Sequence, residues 1–161
     1  MKAIIIGGVA GGATAAARLR RNSEAAEIVL VERGPYISFA NCGLPYHISG
    51  AIAEREQLLV TSAAAFHERY RVDVRVRTEA IAIDRANRTV RLRNLETSEE
   101  YDERYDRVLL SPGAEPERPR LPGIESPRVF GLRNIPDLDR IMRHLDETQP
   151  RRAVVIGGGF I

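Results

Sequence analysis

The chain has 161 residues, 43% hydrophobic and 29% charged, a length and balance that suit roughly one domain with a buried core. All but one of its 24 basic residues are arginines, yet the formal net charge is only +2. Acidic residues are interleaved with the arginines and no basic run with aromatics appears, which argues against a nucleic-acid partner.

One cysteine, Cys42, excludes an internal disulfide and a cysteine-rich metal site, and it suits a reducing cytoplasmic location. The three histidines, His47, His67 and His144, share no metal-ligand spacing with it, so no metal site is expected. Lys2 followed by the apolar stretch Ala3 to Ala17 superficially resembles a secretory leader. Four glycines interrupt that stretch, arginines close it at Arg18, Arg20 and Arg21, and it is too short to span a bilayer.

Ala3-Ile4-Ile5-Ile6 is apolar without alternation, as expected for a buried parallel strand. Gly7-Gly8-Val9-Ala10-Gly11-Gly12 breaks it, and Ala13 to Asn22 resumes with strong helix formers. Ile28-Val29-Leu30-Val31 is a second buried strand that ends at Glu32, 20 residues after Gly12. Strand, glycine turn, helix, strand and acid form the dinucleotide-binding pattern. Glycines let a backbone approach a pyrophosphate, a helix N-terminus faces its charge, and the carboxylate accepts ribose hydroxyls. The middle glycine of that pattern falls on Val9, so the loop is expected to rely on Gly8 and Gly11 or on a slightly different approach to the phosphates.

Ser38-Phe39-Ala40-Asn41-Cys42-Gly43-Leu44-Pro45-Tyr46 comes next. Asn41, Gly43 and Pro45 build a turn or a helix start, where a thiol gains thiolate character. A small, buried and inert cysteine is the alternative.

Ser62 is a plausible N-cap for Ala63 to Tyr70. Val72 to Val76, Ala80 to Asp84 and Thr89 to Leu95 alternate apolar and polar residues around a turn at Arg85 to Arg88. They suggest an antiparallel meander laid over the parallel sheet. Arg107-Val108-Leu109-Leu110 reads as a further buried strand running into the tight turn Ser111-Pro112-Gly113-Ala114. A proline-rich stretch with Pro116, Pro119, Pro122 and Pro127 is an interdomain connector or a surface loop. Helical periodicity follows Asn134, over Ile135 to Leu145. Ala153-Val154-Val155-Ile156 reads as another buried strand leading into Gly157-Gly158-Gly159, the opening of a second dinucleotide fingerprint. A chain that stops inside such a motif reads as a piece of a longer protein.

These residues together resemble the N-terminal part of the flavin-dependent pyridine nucleotide–disulfide oxidoreductases, and within them the CoA-disulfide, CoA-persulfide and polysulfide reductases. The likeness runs from Ile4 to Ile161. It rests on Gly7 to Arg21, Glu32, the Ser38 to Tyr46 motif, Leu110 to Ala114, Phe130-Gly131-Leu132-Arg133-Asn134 and the terminal glycines. The position five after Cys42 is His47, so the paired cysteines of glutathione-reductase-like members are lacking. Ala10 stands where single-cysteine NADH oxidases and peroxidases carry a histidine.

The resemblance implies an α/β fold in two parts. Residues 1–115 would be the first segment of a Rossmann-like FAD-binding domain, with its parallel sheet, helices and antiparallel β-meander. Residues 116–161 would be a connector and the beginning of an NAD(P)-binding domain. FAD would be held at Gly7, Gly8, Ala10, Gly11, Gly12, Glu32, Arg33, Ser111 and Gly113, and NAD(P)H at Gly157 and Gly159. Cys42 would be the redox-active thiol. CoA would contact Thr14, Arg18, Arg21, Ser38 and Asn41, although a basic contact of the family is replaced by Tyr70. The resemblance further implies a cytoplasmic homodimer acting on small disulfides or persulfides, with no nucleic acid and no membrane. A single-cysteine NADH oxidase and a catalytically incomplete nucleotide-binding fragment are the alternatives.

Overall fold

The computed structural model describes residues 1–157. Four parallel strands, β1 (Lys2–Ile6), β2 (Glu27–Val31), β3 (Asp73–Arg75) and β7 (Arg107–Leu110), form one sheet in the order β3-β2-β1-β7. Three antiparallel strands, β4 (Thr78–Asp84), β5 (Thr89–Asn94) and β6 (Glu100–Arg104), form a second. The helices are α1 (Gly11–Asn22), α2 (Leu44–Ile48), α3 (Ala63–Tyr70) and α4 (Ile135–Thr148). No helix among the described residues is long and apolar enough to cross a membrane.

Successive side chains of a strand face opposite ways, and β1 and β2 use both faces. Ile5, Ile28 and Leu30 meet α1 and α3 through Ala13, Ala16, Ala17 and Phe66. Ile4, Val29 and Val31 meet Val90 and Leu92 of the meander. Both strands are therefore apolar at every central position, which is why they read as continuous runs. The small residues of α1 let its axis approach the sheet. Ser62 caps α3 by accepting from the Ala65 amide at 3.1 Å, as its position suggested. Asn134 and Asp137 close a reciprocal capping box at the start of α4.

Four expectations need correction. Val72 to Val76 does not join the meander: β3 pairs in parallel with β2, and the meander's third strand is β6. Alternation follows from having one buried face, and the edge of a parallel sheet satisfies that condition as well as a hairpin does. The β7 strand is not buried; Leu109 and Leu110 are exposed, because among the described residues β7 is the sheet edge with β1 alone beside it. Ala153 to Ile156 is irregular and exposed, with Val154 at 88%, since no strand among the described residues pairs with it. Helix α1 also starts two residues before Ala13, at Gly11.

Candidate functional site

The carboxyl ends of β1, β2 and β7 open onto a cavity of about 450 Å³. This is where open α/β sheets bind ligands. Its walls come from the glycine loop (Ala10, Gly11), the end of β2 (Glu32, Arg33) and the turn after β7 (Ser111, Gly113). The Asn41 turn and the start of α4 complete it.

The glycine loop is shaped by steric demand at two positions. Gly7 has φ +98°, and a Cβ on it would fall on the Ser111 carbonyl. A Cβ on Gly12 would fall on the Gly7 carbonyl, so the helix packs against the strand end only with glycine there. Val9 at the middle position lines the cavity and is accommodated. Gly8 and Gly11, expected to carry the loop, have separate places: Gly8 donates to Glu32, whereas Gly11 lines the cavity. Ala10 precedes α1 without a side-chain cap, so the first amides of the helix have no partner within it.

Glu32 accepts from the Gly8 amide through Oε2 and the Gly34 amide through Oε1, both at 2.7 Å. That leaves each oxygen a further lone pair toward the cavity. Arg33 is paired with Glu115 across the rim, with Glu79 at 3.9 Å. A glycine cradle in which Cβ atoms would collide, a helix start with free amides and a carboxylate at the next strand end fit the pyrophosphate and ribose of a dinucleotide.

The Cys42 segment forms a 3-10 turn, Asn41–Gly43, running into α2. Gly43 is buried and Cys42 is exposed, so the thiol is not a buried core side chain. Asn41 lines the cavity and donates through Nδ2 to the Arg133 carbonyl at 3.4 Å. Ser38 has φ +48° and donates its amide to the Gly8 carbonyl at 3.0 Å, tying the cysteine segment to the glycine loop.

Thr14, Arg18 and Arg21 fall on one exposed face of α1, as a helix brings together positions four and three apart. They do not line the cavity. Gly157 is exposed and also lies outside it, and Gly159 lies outside the described residues. Tyr70 is half-buried and packs its ring 4.7 Å from that of Phe66. Among the described residues no group of histidine, cysteine and carboxylate side chains is arranged to hold a metal.

Two features escaped the sequence. Arg133 lines the cavity and donates from Nε to the Ala114 carbonyl at 2.9 Å, bracing the turn after β7. Its only signal was the Phe130 to Asn134 stretch, which suggested no role. Tyr36 also lines the cavity, and its hydroxyl accepts from Arg55 at 3.0 Å, a long-range pairing without a local signature.

A parallel sheet with a glycine cradle and a carboxylate at the next strand end defines an α/β fold built to take a dinucleotide. The chain belongs to the pyridine nucleotide-disulphide oxidoreductase family, whose model matches residues 1–161. It is 39% identical over 160 residues to a coenzyme A disulfide reductase of Staphylococcus haemolyticus, covering 99% of this chain and 36% of that protein. The chain thus spans about a third of the length of the curated relatives it matches. Among solved structures, reduced Bacillus anthracis CoADR-RHD superimposes with a TM-score of 0.96 at 54% identity, over 99% of this chain and 29% of that one. A NAD-dependent persulfide reductase from A. fulgidus gives 0.87 at 34% identity, over 92% and 28%.

Proposed function

We propose that this chain is the FAD-side part of an NAD(P)H-dependent reductase of CoA disulfide or of CoA and polysulfide persulfides, with Cys42 as its single redox thiol. Residues 1–115 contribute the first FAD-binding segment, and residues 116–161 the connector and the opening of the NAD(P)-binding domain. The observation that carries this reading is that exposed Cys42 directly follows Asn41, which lines the cavity together with Glu32 and the glycine-loop residues Ala10 and Gly11. The relatives named for CoA disulfide and persulfide support the substrate class.

In this reading Gly7, Gly8, Ala10, Gly11 and Gly12 receive the FAD pyrophosphate, while Glu32 binds the adenosine ribose. Arg33, Ser111 and Gly113 line its path. When bound, FAD relays two electrons from NAD(P)H. The Cys42 thiolate attacks one sulfur of the disulfide, expels CoA thiolate and retains the other half as a mixed disulfide. Two electrons and a proton then release the second CoA thiol and restore Cys42. Thr14, Arg18 and Arg21 lie on the outer face of α1, where arginines suit the phosphates of CoA, with Ser38 and Asn41 nearer the thiol. The working enzyme is a cytoplasmic homodimer that needs no metal, nucleic acid or membrane.

The test is Cys42→Ser in the full-length protein. Loss of CoA disulfide and persulfide reduction with FAD still bound is expected. Turnover within tenfold of wild type removes the assignment. Abundant NADH consumption with oxygen alone, dependent on Cys42, favours the oxidase alternative.

A further inference from the structure

Arg55 and Asp139 are 84 positions apart in sequence and form a two-pronged ion pair, with Nε to Oδ1 at 2.6 Å and Nη2 to Oδ2 at 2.8 Å. Their side chains are only 27% and 35% exposed. Nη2 also donates to the Tyr36 hydroxyl at 3.0 Å. The pair thereby fastens three segments: the loop after β2 that lines the cavity, the 3-10 turn Arg55–Leu58, and α4.

These segments enclose Leu44, Leu58, Ile135 and Leu138, a separate apolar cluster. The cysteine turn rests on that cluster. A Cβ added to Gly43 would come within 2.6 Å of Leu58 Cδ2 and 3.3 Å of Ile52 Cδ1. Ala40 donates to the Leu58 carbonyl at 2.8 Å, and Gly43 donates to the Ala40 carbonyl at 2.9 Å. The exposed Cys42 side chain therefore takes its position from Leu58, which lies three residues beyond Arg55.

We propose that the Arg55–Asp139 pair is a positioning clamp that fixes the turn carrying Cys42 and seats Tyr36 within the cavity wall. An ion pair this close to the surface adds little to global stability. A bidentate guanidinium–carboxylate contact does fix geometry, which lysine or asparagine cannot reproduce. Removing it is expected to loosen the thiol turn more than it lowers the melting temperature.

The proposal rests on Cys42 as the redox thiol only for its kinetic arm. The decisive experiment compares Asp139→Asn and Arg55→Lys with wild type in the full-length protein. Alkylation by iodoacetamide is followed on the Cys42 peptide by mass spectrometry, without substrate. Alkylation at least threefold faster is expected in both variants, with FAD content unchanged and Tm within about 3 °C. Asp139→Glu, which keeps the carboxylate fork, returns alkylation toward the wild-type rate. For CoA disulfide, kcat falls at least fivefold while KM stays within twofold. Alkylation within twofold of wild type overturns the proposal. So does faster alkylation that scales with lost Tm and FAD, because the pair is then only a fold element. If even wild type fails to reduce CoA disulfide, the substrate assignment fails and the alkylation comparison still decides the clamp.

Discussion

Gly8 donates its amide to Glu32 Oε2 at 2.7 Å, so the glycine loop and the end of β2 are joined before any ligand arrives. The second oxygen of Glu32 takes the Gly34 amide, which fixes the carboxylate on both sides. A ribose then meets an acceptor already oriented, which reduces the ordering cost of binding.

This relationship predicts two losses from one substitution. Glu32→Ala leaves two partly buried amides unpaired, and each such loss is worth about 1–3 kcal/mol. In the full-length protein both the melting temperature and the FAD content are expected to fall. Glu32→Gln keeps one acceptor oxygen and falls between the two. Thermal melts and flavin absorbance after gel filtration measure this, and an unchanged Tm in Glu32→Ala refutes the structural half.

The features legible in the sequence are those that local chemistry writes. The apolar runs of β1 and β2, the Ser62 cap, the Arg85 to Arg88 turn and the Asn134 helix start all depend on neighbours within a few residues. The glycine loop and Glu32 were legible too, since a fixed spacing carries them. What was lost depends on partners far along the chain. The sequence of β3 does not say whether β2 or β4 is its neighbour, and β7 reads as buried because its apolar composition ignores how many strands flank it. Val154 to Ile156 fails for the same reason. At the site, Arg133, Tyr36 and the Arg55–Asp139 pair join segments that no periodicity connects.

A charged cluster between the two sheets predicts a pH dependence. Glu103 of β6 accepts from Lys2 at 2.6 Å and from Arg75 at 2.5 Å. Burial opposes its ionisation, but the hydrogen bonds from Lys2 and Arg75 outweigh that cost and hold its carboxyl below the ordinary value of 4.5. A depressed folded pKa means that the protonated form is favoured by unfolding. Its stabilisation is present in full above the unfolded value and is lost as pH falls from about 4.5 through the folded one. Glu103→Gln is expected to cost about 1–2 kcal/mol at pH 7. The gap between wild type and variant should narrow as pH falls below about 4.5. A gap that is constant from pH 7 to pH 3.5 in denaturant titrations contradicts the argument.

The three arginines at the end of α1 look equivalent in sequence and are predicted to behave in opposite ways. Arg20 spends its guanidinium on carbonyls: Nε donates to Tyr70 at 2.8 Å, Nη2 to Arg71 at 2.9 Å and Nη1 to Glu24 at 2.5 Å. It thus satisfies the carboxyl ends of α3 and α1 together, where cations are favoured. Arg20→Ala is expected to lower stability by about 1–3 kcal/mol and leave KM for CoA disulfide unchanged. Arg18 and Arg21 project from the exposed face that also carries Thr14. Replacing both with alanine is expected to leave Tm within about 2 °C, because surface changes move stability little. It should raise KM for CoA disulfide about tenfold, the equivalent of ~1.4 kcal/mol of binding, with NAD(P)H-driven flavin reduction unaffected. Melting curves and steady-state kinetics on the two variants decide the matter. If KM stays at the wild-type value in the double variant, Arg18 and Arg21 are a solvated helix face and CoA is gripped elsewhere.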